Sequence, residues 1–329
     1  TKCMRNYYDE PVNIRATKLV AAEKGYDAYM SKITPPAPVT DGRKVAVIGG
    51  GPTGMSAAYF VGRAGIPVTL FEKADRLGGI VRQVIPAFRI SDEAIDKDVA
   101  LMEKMGVEVK LNTEAPSVAE LKAQGYTHIF FAVGAWKAGR LDIPGNVVPV
   151  IGWLRDMKAG KDVSLGHVAV VGGGNTAMDA ARAALRAGAK SSTLVYRRTK
   201  KYMPADAEEL EMAIADGVEF LELVAPVEQK DGKLICEKMK LGDPDDKGRR
   251  KPVPTGEMVE IPCDTVVSAV GEKVESEVFT RNGITVDEKG IPAFKTNLEG
   301  VYAGGDAMRG PATVVEGIAD AQYFANAVI

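Results

Sequence analysis

The sequence predicts an α/β protein of two doubly wound units, the second inserted into the first, and three observations predict it. A β-branched run, Val45 to Ile48, leads directly into Gly49-x-Gly51-x-x-Gly54 and an Ala-rich helical stretch to Arg63. The same arrangement returns 123 residues later, where Val168 to Val171 leads into Gly172-x-Gly174-x-x-Ala177. After the second copy a buried strand, Asp264 to Gly271, is expected to return the chain to the first unit. Each copy reads as strand, glycine turn and helix, the Rossmann-like dinucleotide-binding unit, so two dinucleotide sites are expected.

In the first copy each glycine has a mechanical task. Gly49 makes the tight turn, Gly51 keeps no side chain between backbone and a pyrophosphate, and Gly54 lets helix and strand pack closely. The helix N-terminus, with Pro52 in its first turn and Thr53 beside it, favours an anion. A second strand, Val68 to Phe71, ends in Glu72, 23 residues after Gly49, where a carboxylate can accept bonds from an adenosine ribose.

The second copy differs from the first in two places. Ala177 replaces the third glycine, which sets helix and strand slightly further apart. The acid expected after its second strand, Thr193 to Tyr196, is absent, and Arg197-Arg198 stand there instead. Two guanidinium groups can hold a 2′-phosphate by charge-assisted bonds, so this site should prefer NADP to NAD. Asn175 and Thr176 open the helix that follows the turn.

The composition excludes several classes. The chain has 329 residues, 46% hydrophobic, with a net charge of −2, so nothing in it suggests nucleic acid or a polybasic membrane contact. Its apolar stretches are broken before the roughly 20 residues of a membrane span. TKCMRNYYDE is no signal peptide, and a soluble, cytoplasmic protein is expected. Three cysteines without a C-x-x-C exclude a zinc ribbon and a self-contained dithiol centre. Cys236 and Cys263 sit in strand-like runs and read as buried small hydrophobes. His128 and His167 each begin a predicted strand, which speaks against a histidine metal site or triad.

Along the chain, Asn13 to Met30 reads as a helix weakened by Gly25, and Thr34 to Val39 as a proline-stiffened linker. After Glu72, Gly78-Gly79 and the stretch Ile80 to Ser91 read either as an ordinary surface loop or as a wall for a flat ring. In the second case Ile85-Pro86 and Phe88 would face the ring. Ser91 to Met105 is predicted helical, and Ser117-x-x-Glu120 is a capping box. Thr127 to Ala135 is a buried strand running into Gly134, and Leu141 to Gly145 marks a crossing between units. Asp231-Gly232 reads as a hairpin turn, and Asp243 to Lys251 as a charged loop tip. Near the end, VYAGGD presents Gly305 and Asp306 after a strand. Pro311 to Val328 is helical, with Thr313 in its first turn and an N-terminus able to face an electron-rich ring.

These residues resemble the two-dinucleotide flavoprotein reductases, in the branch of the NADPH-glutamate synthase small subunit and the flavin region of dihydropyrimidine dehydrogenase. The motifs span residues 44 to 329: GGGPTG, FEKADRLGG, IPAFRI, FAVGA, GGGNTAMDAAR, YRR with MPA, AVG, and AGGD with TVVEGIADA. Cys3 with YYDEPVNIR, and VIPAFRIS, are most similar to a selenate reductase-like iron-sulfur flavoprotein. The resemblance implies that Gly49, Gly51, Gly54 and Glu72 hold the ADP half of FAD, with Gly79 and Thr313 near the flavin and Asp306 on its ribityl-phosphate portion. It places Gly172, Gly174, Asn175 and Ala177 on the NADPH pyrophosphate and Arg197 and Arg198 on its 2′-phosphate. Asp179 reads as a cap or packing residue. Gln83-Val84 replace an aromatic and a glycine usual in the glutamate synthase subunit, which leaves the group against the ring unassigned.

The implied organisation is a helical leader and linker over 1–41, an FAD domain over 42–138 and 271–329, and an NADP domain over 139–270 inserted into it. The implied activity is that of an FAD-dependent NADPH oxidoreductase module passing electrons to iron-sulfur domains or subunits of a larger enzyme. The family's clusters lie outside this region. Cys3 then reads either as an orphan ligand of a severed cluster domain or as a cysteine without meaning. A stand-alone ferredoxin-NADP reductase and a non-catalytic flavin scaffold are the competing readings.

Overall fold

The computed structural model describes residues 3–163, 165–244 and 250–329. Helix α1 (Ile14–Lys32) is capped by Asn13, whose side chain accepts from the Ala16 N–H at 3.0 Å, and it continues through Gly25. No residue of α1 is buried. Polar contacts hold it to the body instead: the Tyr26 hydroxyl donates to the Lys97 carbonyl at 3.0 Å, and Arg15 pairs with Glu208 at 2.6 Å.

The next stretch supplies β1 (Val45–Ile48), α2 (Pro52–Arg63), β2 (Val68–Phe71), α3 (Gly79–Gln83), α4 (Asp92–Glu103), β3 (Glu108–Lys110), α5 (Val118–Ala123) and β4 (His128–Phe131). A short strand β5 (Lys137–Ala138) leads to β6 (Val147–Pro149), α6 (Val150–Lys158), β7 (His167–Val171), α7 (Asn175–Arg186), β8 (Ser191–Tyr196), α8 (Ala207–Ala215) and β9 (Glu219–Glu222). Then come β10 (Val224–Lys230), β11 (Lys233–Pro244), β12 (Arg250–Pro262) and β13 (Thr265–Ser268). The chain ends with β14 (Glu272–Lys273), α9 (Glu277–Thr280), β15 (Val301–Ala303), α10 (Asp306–Arg309) and α11 (Val314–Val328).

Two five-stranded parallel sheets result. The first has the order β15-β4-β1-β2-β3 and the second β6-β13-β7-β8-β9. The first sheet therefore takes its outermost strand from the end of the chain, which makes it discontinuous. Its central strand β1 is buried at every position because helices cover both faces. Helices α2 and α11 close one face, with Ala57, Ala58 and Val61 against Phe324, Ala325 and Val328. Phe324 stacks on Phe130 of β4 at 4.4 Å, and each such fully buried ring stabilises by about 1.5–3 kcal/mol.

The sheets are joined where β5 pairs antiparallel with β14. Leu141 and Ile143, in the stretch expected to mark the crossing, pack against the core formed by Ala169, Val171, Val195 and Val266. Strands β10, β11 and β12 form an antiparallel sheet. Its first turn has Asp231 and Gly232 both at positive φ, 51° and 72°, as a two-residue hairpin requires. Residues 245–249 of the expected charged loop tip lie outside the described residues. Cys236 and Cys263 are fully buried, and burial pushes their thiols up to about 12 and about 11. No helix among the described residues is long and apolar enough to cross a membrane.

Candidate functional site

A cavity of about 650 Å³ lies along the first glycine turn, at the carboxyl ends of β1, β2, β4 and β15. Ligands of open parallel sheets bind at such an end. Gly49, Gly51, Pro52, Thr53, Glu72, Gly79, Gly134, Asp306 and Thr313 all line it, so nine of the residues singled out in sequence converge there.

The turn is built without room for side chains. Gly49 has φ +103°, and a Cβ on it would lie 2.5 Å from the Ala132 carbonyl oxygen. Gly79 has φ +54°, and its Cβ would lie 2.8 Å from the Gly51 Cα, so two backbones meet with only hydrogens between them. Gly51 is the N-cap of α2 and Pro52 its first residue. Glu72 is buried, and its two oxygens accept from the Gly50 N–H at 2.6 Å and the Ala74 N–H at 2.8 Å. Those bonds fix the carboxylate's orientation.

Gly54 and Gly305 are absent from the lining and pack behind it. A Cβ on Gly305 would meet the Thr53 hydroxyl at 2.3 Å. Beside it, Asp306 begins α10 and accepts from the Ala312 N–H at 3.1 Å. Burial, together with Glu272 and Glu316 nearby, pushes its carboxyl up to about 6 against that bond. Thr313 is the N-cap of α11, not a first-turn residue, because its hydroxyl and Glu316 form a reciprocal capping box. The Glu316 carboxylate accepts from the Thr313 N–H at 3.0 Å and hydroxyl at 2.7 Å, so the positive helix end already faces one anion.

Several lining groups gave little signal in the sequence. Trp136 follows Gly134 into the cavity, and Ile151, Gly152 and Arg155 enter from α6, which belongs to the second sheet. Only the tertiary fold brings them there. Asp320 does not line the cavity but clamps its edge: buried in α11, it accepts from the Gly305 N–H at 2.9 Å and from Arg309 Nε at 2.7 Å. An acid inside the apolar stretch GIADA was its one trace in the sequence.

The stretch Ile80 to Ser91 is corrected in part. It opens as the helix α3, and Ile80, Val81, Gln83 and Ile85 line the cavity, but Pro86 and Phe88 do not. Phe88 turns to the second half, where Arg182 and Arg186 approach its ring at 4.9 and 4.5 Å. The two guanidinium groups lie within cation–π distance of the ring.

The second glycine turn repeats the first with more open space. A Cβ on Gly172 would lie 2.3 Å from the Ala269 carbonyl oxygen, whereas one on Gly174 would meet nothing within 4 Å. Ala177 is fully buried in α7. The Asn175 side chain accepts from the Asp206 N–H at 3.2 Å, and Thr176 faces the Glu272 carboxyl. Arg197 is exposed just after β8. Arg198 is half-buried, and its Nε has no hydrogen-bond partner among the described residues. Asp179 is buried, with Arg89 Nε at 3.3 Å from its carboxylate. Cys3 precedes a 3₁₀ turn, Met4–Tyr7, and does not line the cavity.

Two glycine turns on two parallel sheets, with a cavity walled from both halves, define a nucleotide-dependent oxidoreductase fold. Residues 43–321 match the pyridine nucleotide-disulphide oxidoreductase family, and the chain belongs to it. YgfK of Escherichia coli (strain K12), named as an oxidoreductase, is 41% identical over 99% of this chain, which spans 33% of YgfK. The glutamate synthase [NADPH] small chain of Halomonas elongata is 32% identical over 93% of this chain and 70% of its own length. The solved structure of Mycobacterium tuberculosis FprA in complex with NADPH superposes with a TM-score of 0.71 at 21% identity, covering 87% of this chain and 84% of FprA. That likeness concerns the fold.

Proposed function

We propose that this chain is an FAD-dependent NADPH oxidoreductase module of a larger electron-transfer enzyme. The single observation that carries the reading is the pair of glycine turns with opposite chemistry after their second strands. The first ends in the buried, backbone-oriented Glu72 and the second in Arg197-Arg198, with a buried Arg198 Nε that has no hydrogen-bond partner among the described residues. The residues fit the groups: backbone meets backbone at Gly51 and Gly79, as close approach to a pyrophosphate requires, and Gly174 stands open.

In this reading Gly49, Gly51, Pro52, Thr53, Glu72, Gly79, Gly134, Asp306 and Thr313 hold FAD, with Gly54 and Gly305 packing the turns that carry them. Gly172, Gly174, Asn175, Thr176, Ala177, Arg197 and Arg198 hold NADP(H). When bound, FAD brings the exchange of a two-electron hydride for single electrons. The chain's own residues orient and insulate. The N-termini of α2 and α7 favour pyrophosphate, and Glu72 takes hydroxyl donors with a carboxylate that needs no reorientation. Trp136 and Ile151 add apolar surface to the cavity wall, and Arg155 brings a cation to it. Asp306, half-protonated near pH 6, can hold or give up a proton at the cavity edge.

Iron-sulfur domains or subunits are the proposed electron acceptors. The relatives support a modular setting, since YgfK is about three times as long as the matched region and the Halomonas protein is one chain of a synthase. The direct test is to incubate the protein with FAD, remove free cofactor, and identify what heat releases. FAD in near-equimolar amount is expected, and protein that retains no flavin would sink the reading.

A further inference from the structure

Residues Ile85 to Arg89 leave the first half of the molecule and grip the second. Ile85 lines the cavity, and its carbonyl accepts from Lys158 Nζ of α6 at 2.6 Å. Phe88 packs against Arg182 and Arg186, and Arg89 reaches Asp179 at 3.3 Å and pairs closely with Glu209 of α8. Asp179, Arg182 and Arg186 are spaced i, i+3 and i+7, so they form one stripe on α7, the helix whose N-terminus carries the second glycine turn. Arg182 is held in turn by Asp216 at 2.9 Å.

Buried charges of this kind are a poor route to stability, because desolvation offsets most of their attraction. The side chains of Asp179, Arg182 and Glu209 are only 9%, 8% and 12% exposed, and Asp179 Oδ1 lacks a hydrogen-bond partner among the described residues. What such pairs give is a defined geometry between the parts they join. Here they join α7, the helix of the second glycine turn, to a wall of the cavity at the first.

We infer that Arg89 is a positioning residue: it fixes the strap Ile85–Arg89 to α7, so that a nucleotide seated at the α7 N-terminus alters the cavity wall formed by α3 and Ile85. This rests on the FAD and NADP(H) reading above. Arg89 lies outside the cavity lining and acts through Phe88 and Ile85.

The test titrates FAD-loaded protein with NADP⁺, which cannot reduce the flavin, and records two signals. One is the flavin difference spectrum, and the other is NADP⁺ affinity by calorimetry. Wild-type protein should give a saturable spectral change. Arg89→Gln should bind NADP⁺ within about threefold of wild type yet lose about half or more of the spectral amplitude, a modest loss of coupling between sites. Arg89→Lys should restore much of that amplitude, and Glu209→Gln, at the other end of the contact, should reproduce the loss if Arg89→Gln does not fold. Full amplitude in Arg89→Gln or, failing that variant, in Glu209→Gln would overturn the proposal, as would wild-type protein that binds both cofactors without any flavin change. Wild-type protein that binds no FAD or no NADP⁺ would overturn the functional reading itself, and the two failures are told apart by calorimetry.

Discussion

Gly54 lies so close to Gly49 that a Cβ built on it would stand 1.8 Å from the Gly49 carbonyl oxygen. The atom in the way is backbone, so no rotamer change can make room. Gly54→Ala should therefore destabilise the protein by about 3 kcal/mol or more, at the upper end of overpacking costs, and loosen FAD with it. Gly174→Ala, which meets nothing within 4 Å, should stay within about 0.5 kcal/mol of wild type while weakening NADPH. Urea unfolding of the two variants side by side checks the contrast.

Glu72 should matter through both its charge and its shape. Glu72→Gln keeps an acceptor but removes the charge, and FAD affinity should fall by about 10- to 100-fold, the worth of one charge-assisted bond of about 1.5–3 kcal/mol. Glu72→Ala also leaves the Gly50 and Ala74 N–H groups without their acceptor, so it should cost stability as well. Quenching of FAD fluorescence by the apoprotein measures the first effect and thermal unfolding the second.

Replacing Arg197 and Arg198 by Gln should weaken NADPH by about 10- to 100-fold per lost charge-assisted contact. NADH, which has no 2′-phosphate, should bind as before. The ratio of the two dissociation constants is the informative quantity, since general damage to the turn would move both.

Asp179 carries a pH signature. Burial pushes its carboxyl from an ordinary 3.8 up to about 6, because Arg89 is shared with Glu209 and cannot offset the lost hydration. The folded state thus holds a proton that the unfolded chain releases near pH 4. The stability this gives is full below pH 4 and is lost as pH rises through about 6. Asp179→Asn mimics the protonated form, so its stability relative to wild type should rise by about 2 kcal/mol between pH 4 and 7. Urea midpoints across that range would show the trend, and a difference independent of pH would contradict it.

Much of this architecture was legible because local pattern and tertiary role coincide. The runs at Val45 and Val68 are buried strands in the registers expected of a parallel sheet, and Ser117 and Glu120 make their capping box. Glycine turns announce themselves because only glycine fits them. What stayed hidden depends on contacts across the chain. Trp136 and Arg155 reach the cavity from opposite halves, and Asp320 reads as helix surface until its bond to the Gly305 N–H is seen. Phe88 was misplaced for the same reason: its partners Arg182 and Arg186 lie about a hundred residues away. The leader Met4 to Val20 gave apolar residues that the fold leaves exposed, and periodicity alone could not distinguish that from burial.

NADPH bound at the second turn is expected to reduce a flavin held at the first, and anaerobic mixing measures that step. Purified FAD-loaded protein is mixed with NADPH and, separately, with NADH while flavin absorbance is followed. Rapid bleaching by NADPH, with NADH far slower at equal concentration, is the predicted result. Bleaching by NADH alone, or by neither nucleotide with FAD demonstrably bound, would contradict the account.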